Sequence, residues 1–137
     1  MFEFSGIAPP VVVPFGEDGR IDEDKCKEIL DWLIGQGVHA VVAGGSTGEV
    51  VYLSEEERIE VLELTVDHVD GRVPVVAGTG CPGTANTVEL TSEAKKLGVE
   101  AALVVTPFYY PLSGEEQEEH YRKILREVDL PLILYHV

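Results

Sequence analysis

The amino-acid sequence predicts an α/β fold in which short buried strands alternate with amphipathic helices. Apolar runs rich in Val, Ile and Ala recur along the 137 residues and begin 27 to 34 residues apart. That interval is the length of one βα unit. Between the runs, apolar residues recur at the spacing of a helix with one buried face. The chain is therefore predicted to be a series of βα units in a single domain.

Each apolar run is bounded by glycine or proline and has the length of a fully buried parallel strand. Strands in parallel sheets are covered on both faces, so they lack the alternation of apolar and polar residues seen in exposed strands. The five predicted strands are residues 8–13, 40–43, 74–77, 101–105 and 132–135.

Four helices are predicted between these strands. The first apolar stripe is formed by Cys26, Ile29, Leu30 and Leu33, and the later helices repeat this spacing. Serine followed by glutamate three residues later is a capping box, and glycine is common just after a helix end. The start signals are Ser54 with Glu57 and Ser113 with Glu116, and the stop signals are Gly71 and Gly98.

The charge balance excludes several classes of partner. The chain has 25 acidic and 10 basic residues, and its net charge of −15 repels nucleic-acid backbones and anionic membranes. The acidic clusters fall on predicted helix faces that are exposed to solvent. So much acid with so little lysine also supports the hypothesis of a halophilic protein, adapted to a cytoplasm rich in salt.

Other features indicate a soluble cytoplasmic protein without a metal site. No stretch approaches the roughly 18 apolar residues of a membrane span, and the start, MFEFSGIAPP, lacks the pattern of a cleavable leader. Cys26 and Cys81 lie on different predicted elements without metal-type spacing, so reduced thiols are expected. Apart from Glu49, the acids do not gather at strand ends, where a metal would need them.

The residues that follow the strands are the candidates for a site, because ligands bind at the carboxyl ends of parallel strands. After the second predicted strand, residues 44–49 read GGSTGE. The glycines let backbone amides approach an anion beside the hydroxyls of Ser46 and Thr47. A carboxylate or a phosphate suits this loop, but it is not a P-loop because no Gly-Lys-Ser/Thr follows.

Residues 78–83 match the pattern G-x-G-x-x-G ahead of a helix, so a dinucleotide site is an alternative. That fingerprint belongs on the first βα turn and needs an acid at the end of the next strand. Neither condition is met here. Glycines required by a tight turn are the favoured interpretation.

Phenols follow the last two predicted strands. Tyr109 and Tyr110 come after the fourth strand, and Tyr135 ends the fifth, followed by His136. A serine or threonine hydroxyl flanked by two tyrosines can pass a proton along a hydrogen-bonded chain, provided another group supplies the electron sink. Simple packing is the plainer interpretation of aromatic residues in loops.

Five strands and four helices suit either a doubly wound sheet of flavodoxin type or the beginning of a barrel, and periodicity alone does not choose. Four motifs bear on the choice, because in this order they resemble the dihydrodipicolinate synthase and N-acetylneuraminate lyase family of pyruvate-dependent aldolases. The motifs are GGSTGE, GRVPVVAGTG, VTPFYYP and DLPLILYHV. The resemblance implies a (β/α)₈ TIM barrel, of which residues 1–137 supply about the first five strands and four helices.

The resemblance also implies an activity and its alternatives. The implied reaction is a Schiff-base-dependent condensation of pyruvate with aspartate semialdehyde, giving 4-hydroxy-tetrahydrodipicolinate for lysine biosynthesis, without a cofactor. N-acetylneuraminate lyase and keto-deoxy sugar acid aldolases share the same core. His136, where the family usually has Asn, and Val50, where synthases often have Ser, weaken the choice of substrate. A truncated non-catalytic module that binds a keto acid or a partner, and a flavodoxin-like nucleotide binder, are the competing classes.

Carried over from the family, the loop after the second strand would bind the carboxylate of pyruvate. Thr47 and the neighbouring amides, including those of Gly45 and Gly48, would hold it.

The family's proton relay would fall on Ser46, which would pass protons between Tyr109 and Tyr135. Tyr135 would lie over the reacting imine. The tyrosine that matches Tyr109 reaches into the neighbouring subunit in relatives, which implies a homo-oligomer, and Tyr110 is the alternative in register.

The imine-forming lysine is not expected within this chain. Such a lysine should project from a strand end, where desolvation lowers its pKa. In the family it belongs to the sixth strand, past Val137, so the 137-residue chain alone is expected to be inactive. The lysines of this chain, all on predicted helices, are Lys25, Lys27, Lys95, Lys96 and Lys123.

Overall fold

A computed structural model describes residues 5–137, and this part of the chain contains four α-helices and four β-strands. Residues 1–4, which were part of the segment inspected for a leader, lie outside the described residues. None of the helices in the described part is long and apolar enough to cross a bilayer. In chain order the elements are α1 (Glu23–Gly35), β1 (Val41–Ala43), α2 (Glu55–Val69), β2 (Val75–Gly78), α3 (Thr84–Leu97), β3 (Ala101–Val105), α4 (Gly114–Glu127) and β4 (Leu132–Tyr135).

The four strands form one parallel sheet in which the spatial order is the order along the chain. A doubly wound sheet of flavodoxin type has the order 2-1-3-4-5, because the chain reverses direction at a switch point. A strand order without a reversal is the arrangement of a barrel wall. The sheet order therefore rejects the flavodoxin alternative.

The first predicted strand, residues 8–13, is only partly formed, which corrects the expectation of five strands. This segment runs parallel to β1 through an isolated bridge between Pro10 and Val42. Val11 N donates to Val42 O at 2.9 Å, and Val42 N donates to Pro9 O at 3.0 Å. The ladder to β1 is interrupted at Pro9, which has no N–H to donate.

The helix boundaries follow the predicted signals. Ser54 Oγ accepts from Glu57 N at 3.2 Å, while the Glu57 carboxylate accepts from Ser54 N at 2.7 Å. The same reciprocal box starts α4 at Ser113. Gly98 ends α3 with a left-handed φ of 95°, a conformation that costs glycine nothing. Both predicted capping boxes are confirmed.

The sheet is buried on both faces. On the outer face, every helix contributes a fully buried aliphatic side chain to the main core: Leu30, Leu62, Leu90 and Ile124. On the inner face, a smaller cluster is formed by Val42, Val76 and Ala101, with Ala8 and Leu103 packed against it. Alternate strand residues supply these two clusters, which explains why the strands read as continuous apolar runs.

The far edge of the sheet is β4. Leu134 on this strand is 61% exposed, and its neighbour Ile133 is also exposed. By register Leu134 pairs with the fully buried Val104 of β3, so both belong to the face that the helices cover elsewhere. The wall of strands is therefore open at β4.

Candidate functional site

The carboxyl ends of the strands enclose a cavity of about 260 Å³. The loops after β1 and β2 form its floor, and β3 and β4 form one side. Its lining residues are Gly44, Gly45, Ser46, Val50, Val51, Gly78, Gly80, Leu103, Val105, Phe108, Tyr135 and Val137. Among these described residues, the hydroxyls of Ser46 and Tyr135 are the polar side-chain groups.

The loop after β1 is a pair of tight turns. Ser46–Gly48 forms one turn of 3₁₀ helix that is closed by bonds from Gly48 N to Gly45 O and from Glu49 N to Ser46 O, each 3.0 Å long. These bonds use the amides of Gly48 and Glu49. Among the described residues, the amides of Ser46 and Thr47 have no backbone acceptor, so they can donate to an added anion.

Two glycines allow the loops after β1 and β2 to touch through their backbones. A Cβ on Gly78 would lie 2.0 Å from the carbonyl oxygen of Gly44. Gly44 itself has a φ of 72°, which side chains with a Cβ rarely adopt. The cavity floor therefore depends on glycine at both positions, and at Gly78 the reason is the close approach of two backbones rather than a tight turn.

Arg58 of α2 holds the loop after β2 from the other side. Its guanidinium donates to Gly80 O at 3.1 Å, to Gly78 O at 3.3 Å and to the Cys81 sulfur at 3.1 Å. All three bonds go to the loop after β2, and Arg58 does not line the cavity. Arg58 was not predicted from the sequence, because a single arginine one turn into a helix gives no signal of a contact 20 residues away.

The expected relay residues are only partly brought together. Ser46 and Tyr135 line the same cavity with Gly45, whereas Thr47 and Gly48 lie in the same turn without lining it. Tyr135 is fixed at the end of β4, where its carbonyl accepts from Thr106 N at 3.0 Å.

Tyr109 lies outside this cavity. It is 86% exposed and has a positive φ of 84°, which is unusual for a bulky residue. Its ring makes an edge-on contact with Tyr110, the alternative in register, with ring centroids 4.9 Å apart. Both rings line a separate surface pocket beside Pro107 and Phe108. Within this single chain, Tyr109 is presented to the outside.

The remaining candidates lie away from the cavity. Cys26 and Cys81 are free and buried, as expected for reduced thiols. Burial, together with the nearby Asp22 and Glu23, raises the pKa of Cys26 to about 11, so this thiol is protonated at neutral pH. His136 follows Tyr135 and is exposed.

The sequence profile of the Dihydrodipicolinate synthetase family matches residues 3–137. The chain belongs to this family. A curated 4-hydroxy-tetrahydrodipicolinate synthase from Psychrobacter sp. (strain PRwf-1) is 42% identical over 135 residues, which is 98% of this chain and 45% of that protein. The family expected from the four motifs is thereby confirmed.

Solved structures agree with this membership. Dihydrodipicolinate synthase from Acinetobacter baumannii, crystallised with pyruvate, is 41% identical with a TM-score of 0.94, over 96% of this chain and 45% of that one. N-acetylneuraminate lyase from Mycoplasma synoviae is 35% identical with a TM-score of 0.90, over 98% of this chain and 47% of that one. The chain thus spans about half the length of the relatives it matches, and its α/β fold is that of part of the family's barrel.

Proposed function

We propose that this chain forms the N-terminal part of a (β/α)₈ lyase that joins pyruvate to an aldehyde, and that the reaction is that of 4-hydroxy-tetrahydrodipicolinate synthase. The observation that carries the proposal is the cavity shared by the Gly45–Ser46 loop and Tyr135. Members of the family are named as synthases and lyases, and one is described in complex with pyruvate.

The loop after β1 is suited to the carboxylate of pyruvate. The amides of Ser46 and Thr47 have no backbone acceptor among the described residues, and both residues carry a hydroxyl. A carboxylate accepts bonds from such a set of donors at low cost, because the donors are already fixed. The backbone of Gly45 and Gly48 fixes the turn through their bond of 3.0 Å.

Tyr135 and Ser46 are proposed to move protons. Imine formation joins a lysine nitrogen to the keto carbon of pyruvate and releases water, so protons must reach the departing oxygen. A phenol beside a hydroxyl can deliver them without a free base. Tyr109 would complete this relay in the cavity of a second copy, which its 86% exposure supports, so the working form is proposed to be a homo-oligomer.

The imine-forming lysine is proposed to lie outside this chain. Of the described residues that line the cavity, none is a lysine. Lys25, Lys27 and Lys96 are on helices and pair with nearby acids at 2.6 to 2.9 Å. The hydrogen bonds to Asp22 and Glu23 raise the pKa of Lys25 and Lys27, so these two amines are protonated at neutral pH and are not nucleophiles. The other half of the relatives' length is where the lysine is expected.

The choice between the aldehyde of the synthase reaction and a sugar rests on the comparisons. The synthase from Acinetobacter baumannii is 41% identical to this chain, and the N-acetylneuraminate lyase from Mycoplasma synoviae is 35% identical. Aspartate semialdehyde, and with it lysine biosynthesis, is therefore the proposed use.

Reduction with borohydride in the presence of pyruvate tests the proposal, because it converts an imine into a stable amine. The 137-residue chain is expected to keep its mass. A polypeptide of the relatives' full length that begins with this chain is expected to gain one reduced pyruvate. An adduct on the short chain would contradict the assignment of the lysine, and peptide mapping would show which lysine carries it.

Two variants of the full-length polypeptide separate the relay from the lysine. Tyr135→Phe and Ser46→Ala are each expected to lower turnover by about 10²–10⁴-fold, the usual contribution of proton transfer. An unchanged turnover in both would remove the relay from the proposal. His136→Gln is the matched control, since His136 is an exposed neighbour of Tyr135.

A cytoplasm rich in salt is the proposed environment, supported by the net charge of −15. Like charges repel one another in the folded chain, and salt weakens that repulsion. The urea midpoint of unfolding is expected to rise between about 0.1 M and about 1 M KCl. A further rise at higher KCl would point to an adaptation beyond screening, whereas a midpoint that does not fall at low salt would contradict the hypothesis.

A further inference from the structure

His120 is a buried histidine that links two helices. It lies on α4 with 3% of its surface exposed, and its Nδ1 is 2.9 Å from the hydroxyl of Thr84, the first residue of α3. Its ring also makes an edge-on contact with Tyr121, with centroids 5.1 Å apart. The side chain is therefore a fixed part of the contact between α3 and α4.

The second ring nitrogen of His120 is buried and has no hydrogen-bond partner among residues 5–137. A neutral imidazole tolerates this, since it carries one N–H and one lone pair. An imidazolium would bury a positive charge with one N–H unpaired, which costs much more. Burial accordingly lowers the pKa of His120.

The charges near His120 do not offset this burial. Glu116, Glu119 and Lys123 line the surface pocket beside it, and all three belong to α4. The other lining residues, Thr84 of α3 and Leu112 of the preceding loop, carry no charge.

Both glutamates have other partners. The Glu116 carboxylate accepts from the amide and the hydroxyl of Ser113 at 2.8 Å, which closes the capping box of α4. Glu119 pairs with Arg126. These contacts hold both carboxylates on other partners, so neither forms an ion pair with a protonated imidazole.

Leu112 connects the surroundings of His120 to the loop that carries the tyrosines. It lines the pocket beside His120 and also the pocket formed by Tyr109 and Tyr110. Its carbonyl accepts from the side chain of Gln117 at 3.1 Å, so the end of the loop is tied to α4.

Tyr121, which follows His120 on α4, connects this helix to the sheet. Its hydroxyl donates to the carbonyl of Val104 in β3 at 3.3 Å. The Gln117 bond thus ties the C-terminal end of the loop 106–112 to α4, and the Tyr121 bond ties α4 to β3, the strand that precedes the loop. The docking of α4 against α3 and β3 therefore determines where the loop is held.

We propose that His120 is a positioning residue that, in its neutral form, holds α4 against α3 and so orders the loop bearing Tyr109, and that uptake of a proton releases this loop. Tyr109 is the residue assigned above to the relay of a second copy. The link to activity thus rests on the proposed function, but the pH-dependent order of the loop does not.

The direction of the pH dependence follows from the lowered pKa. The unfolded chain takes up the proton near pH 6.5, the ordinary value for histidine, while the folded chain resists it. The contribution of His120 to stability is therefore complete above about pH 6.5 and is lost as the pH falls toward the lower folded-state pKa.

The amides of Thr106 and Ser113 flank the loop and donate to Tyr135 O and to the Glu116 carboxylate. Their hydrogen exchange measures the order of the loop ends without pyruvate or turnover. In the unaltered chain, corrected protection of these amides is expected to fall by about tenfold between about pH 8 and about pH 5. His120→Gln keeps a donor for Thr84 but cannot take up a proton, so its protection is expected not to change with pH. His136→Gln, which alters an exposed histidine, is expected to behave like the unaltered chain.

Protection that falls equally in His120→Gln, or that does not fall in the unaltered chain, would overturn the proposal. Thr84→Val serves if His120→Gln does not fold. It keeps the titrating ring and removes its partner, so protection should be lower at all pH values while the fall with acid persists. Loss of the fall in Thr84→Val would also count against the proposal. A pH-dependent loop without any pyruvate adduct in the longer polypeptide would leave this inference standing and remove the proposed function.

Discussion

Gly78→Ala is expected to prevent the chain from folding, with a loss of more than about 4 kcal/mol. The added Cβ would lie 2.0 Å from Gly44 O, 2.5 Å from Gly44 C and 3.0 Å from Gly45 N. All three atoms are backbone, so no side chain can rotate away. To accept a methyl group, the ends of β1 and β2 would have to separate, and the cavity floor would be lost.

Urea unfolding followed by far-UV circular dichroism measures this effect. Gly35→Ala is the matched control, because Gly35 is the last residue of α1 and a Cβ there would meet nothing within 4 Å. That control is expected to be neutral or to stabilise by up to about 1 kcal/mol, since alanine favours a helix more than glycine does. A folded Gly78→Ala chain with an unchanged midpoint would show that the backbone contact is not required.

Arg58→Met is expected to lower the free energy of unfolding by about 2–4 kcal/mol. Methionine preserves much of the side-chain volume but removes every donor. The carbonyls of Gly78 and Gly80, both in buried residues, would lose the guanidinium. A buried carbonyl without a partner carries its full desolvation cost, so the loss exceeds that of an ordinary surface ion pair.

Arg122→Met is the control for Arg58→Met. Arg122 pairs with Glu118 one turn earlier on α4, and both side chains are exposed. Pairs of this kind contribute about 0.5 kcal/mol or less. Equal losses in the two variants would mean that the bonds of Arg58 to the loop add nothing beyond its charge.

The elements of this fold could be predicted from the sequence because their signals are local. A capping box such as Ser54 with Glu57 needs only three residues, and a helical stripe needs about ten. The prediction of the first strand was only partly correct, also for a local reason. Residues 8–13 run parallel to β1, but Pro9 removes a donor of a regular ladder, and apolar composition does not indicate that loss.

The order of the strands could not be derived from periodicity. Every strand of either architecture is buried on both faces, so the same residues suit a barrel wall and a doubly wound sheet. The four motifs decided in favour of the barrel, and the sequential order of β1 to β4 agrees with them.

The candidate site was predictable only where it coincides with the ends of strands. Ser46 and Tyr135 follow that rule and share a cavity. Arg58 does not, because its contacts join a helix to a loop that is distant in sequence. The apolar wall at Val51 was also missed, since a valine in a loop resembles an ordinary packing residue. Periodicity does not encode the exposure of Tyr109, and only the family resemblance implied a tyrosine that reaches outward.

The sequential order of the strands has a consequence for synthesis on the ribosome. Each new strand pairs with the one made just before it, so its partner is already present when it emerges. Pairings between consecutive strands close the shortest loops that a parallel sheet allows, one βα unit each, so they cost less entropy than pairings between more distant strands. The growing polypeptide can thus add one βα unit at a time. At each stage the last strand synthesised is the free edge of the sheet, and the next strand pairs with it.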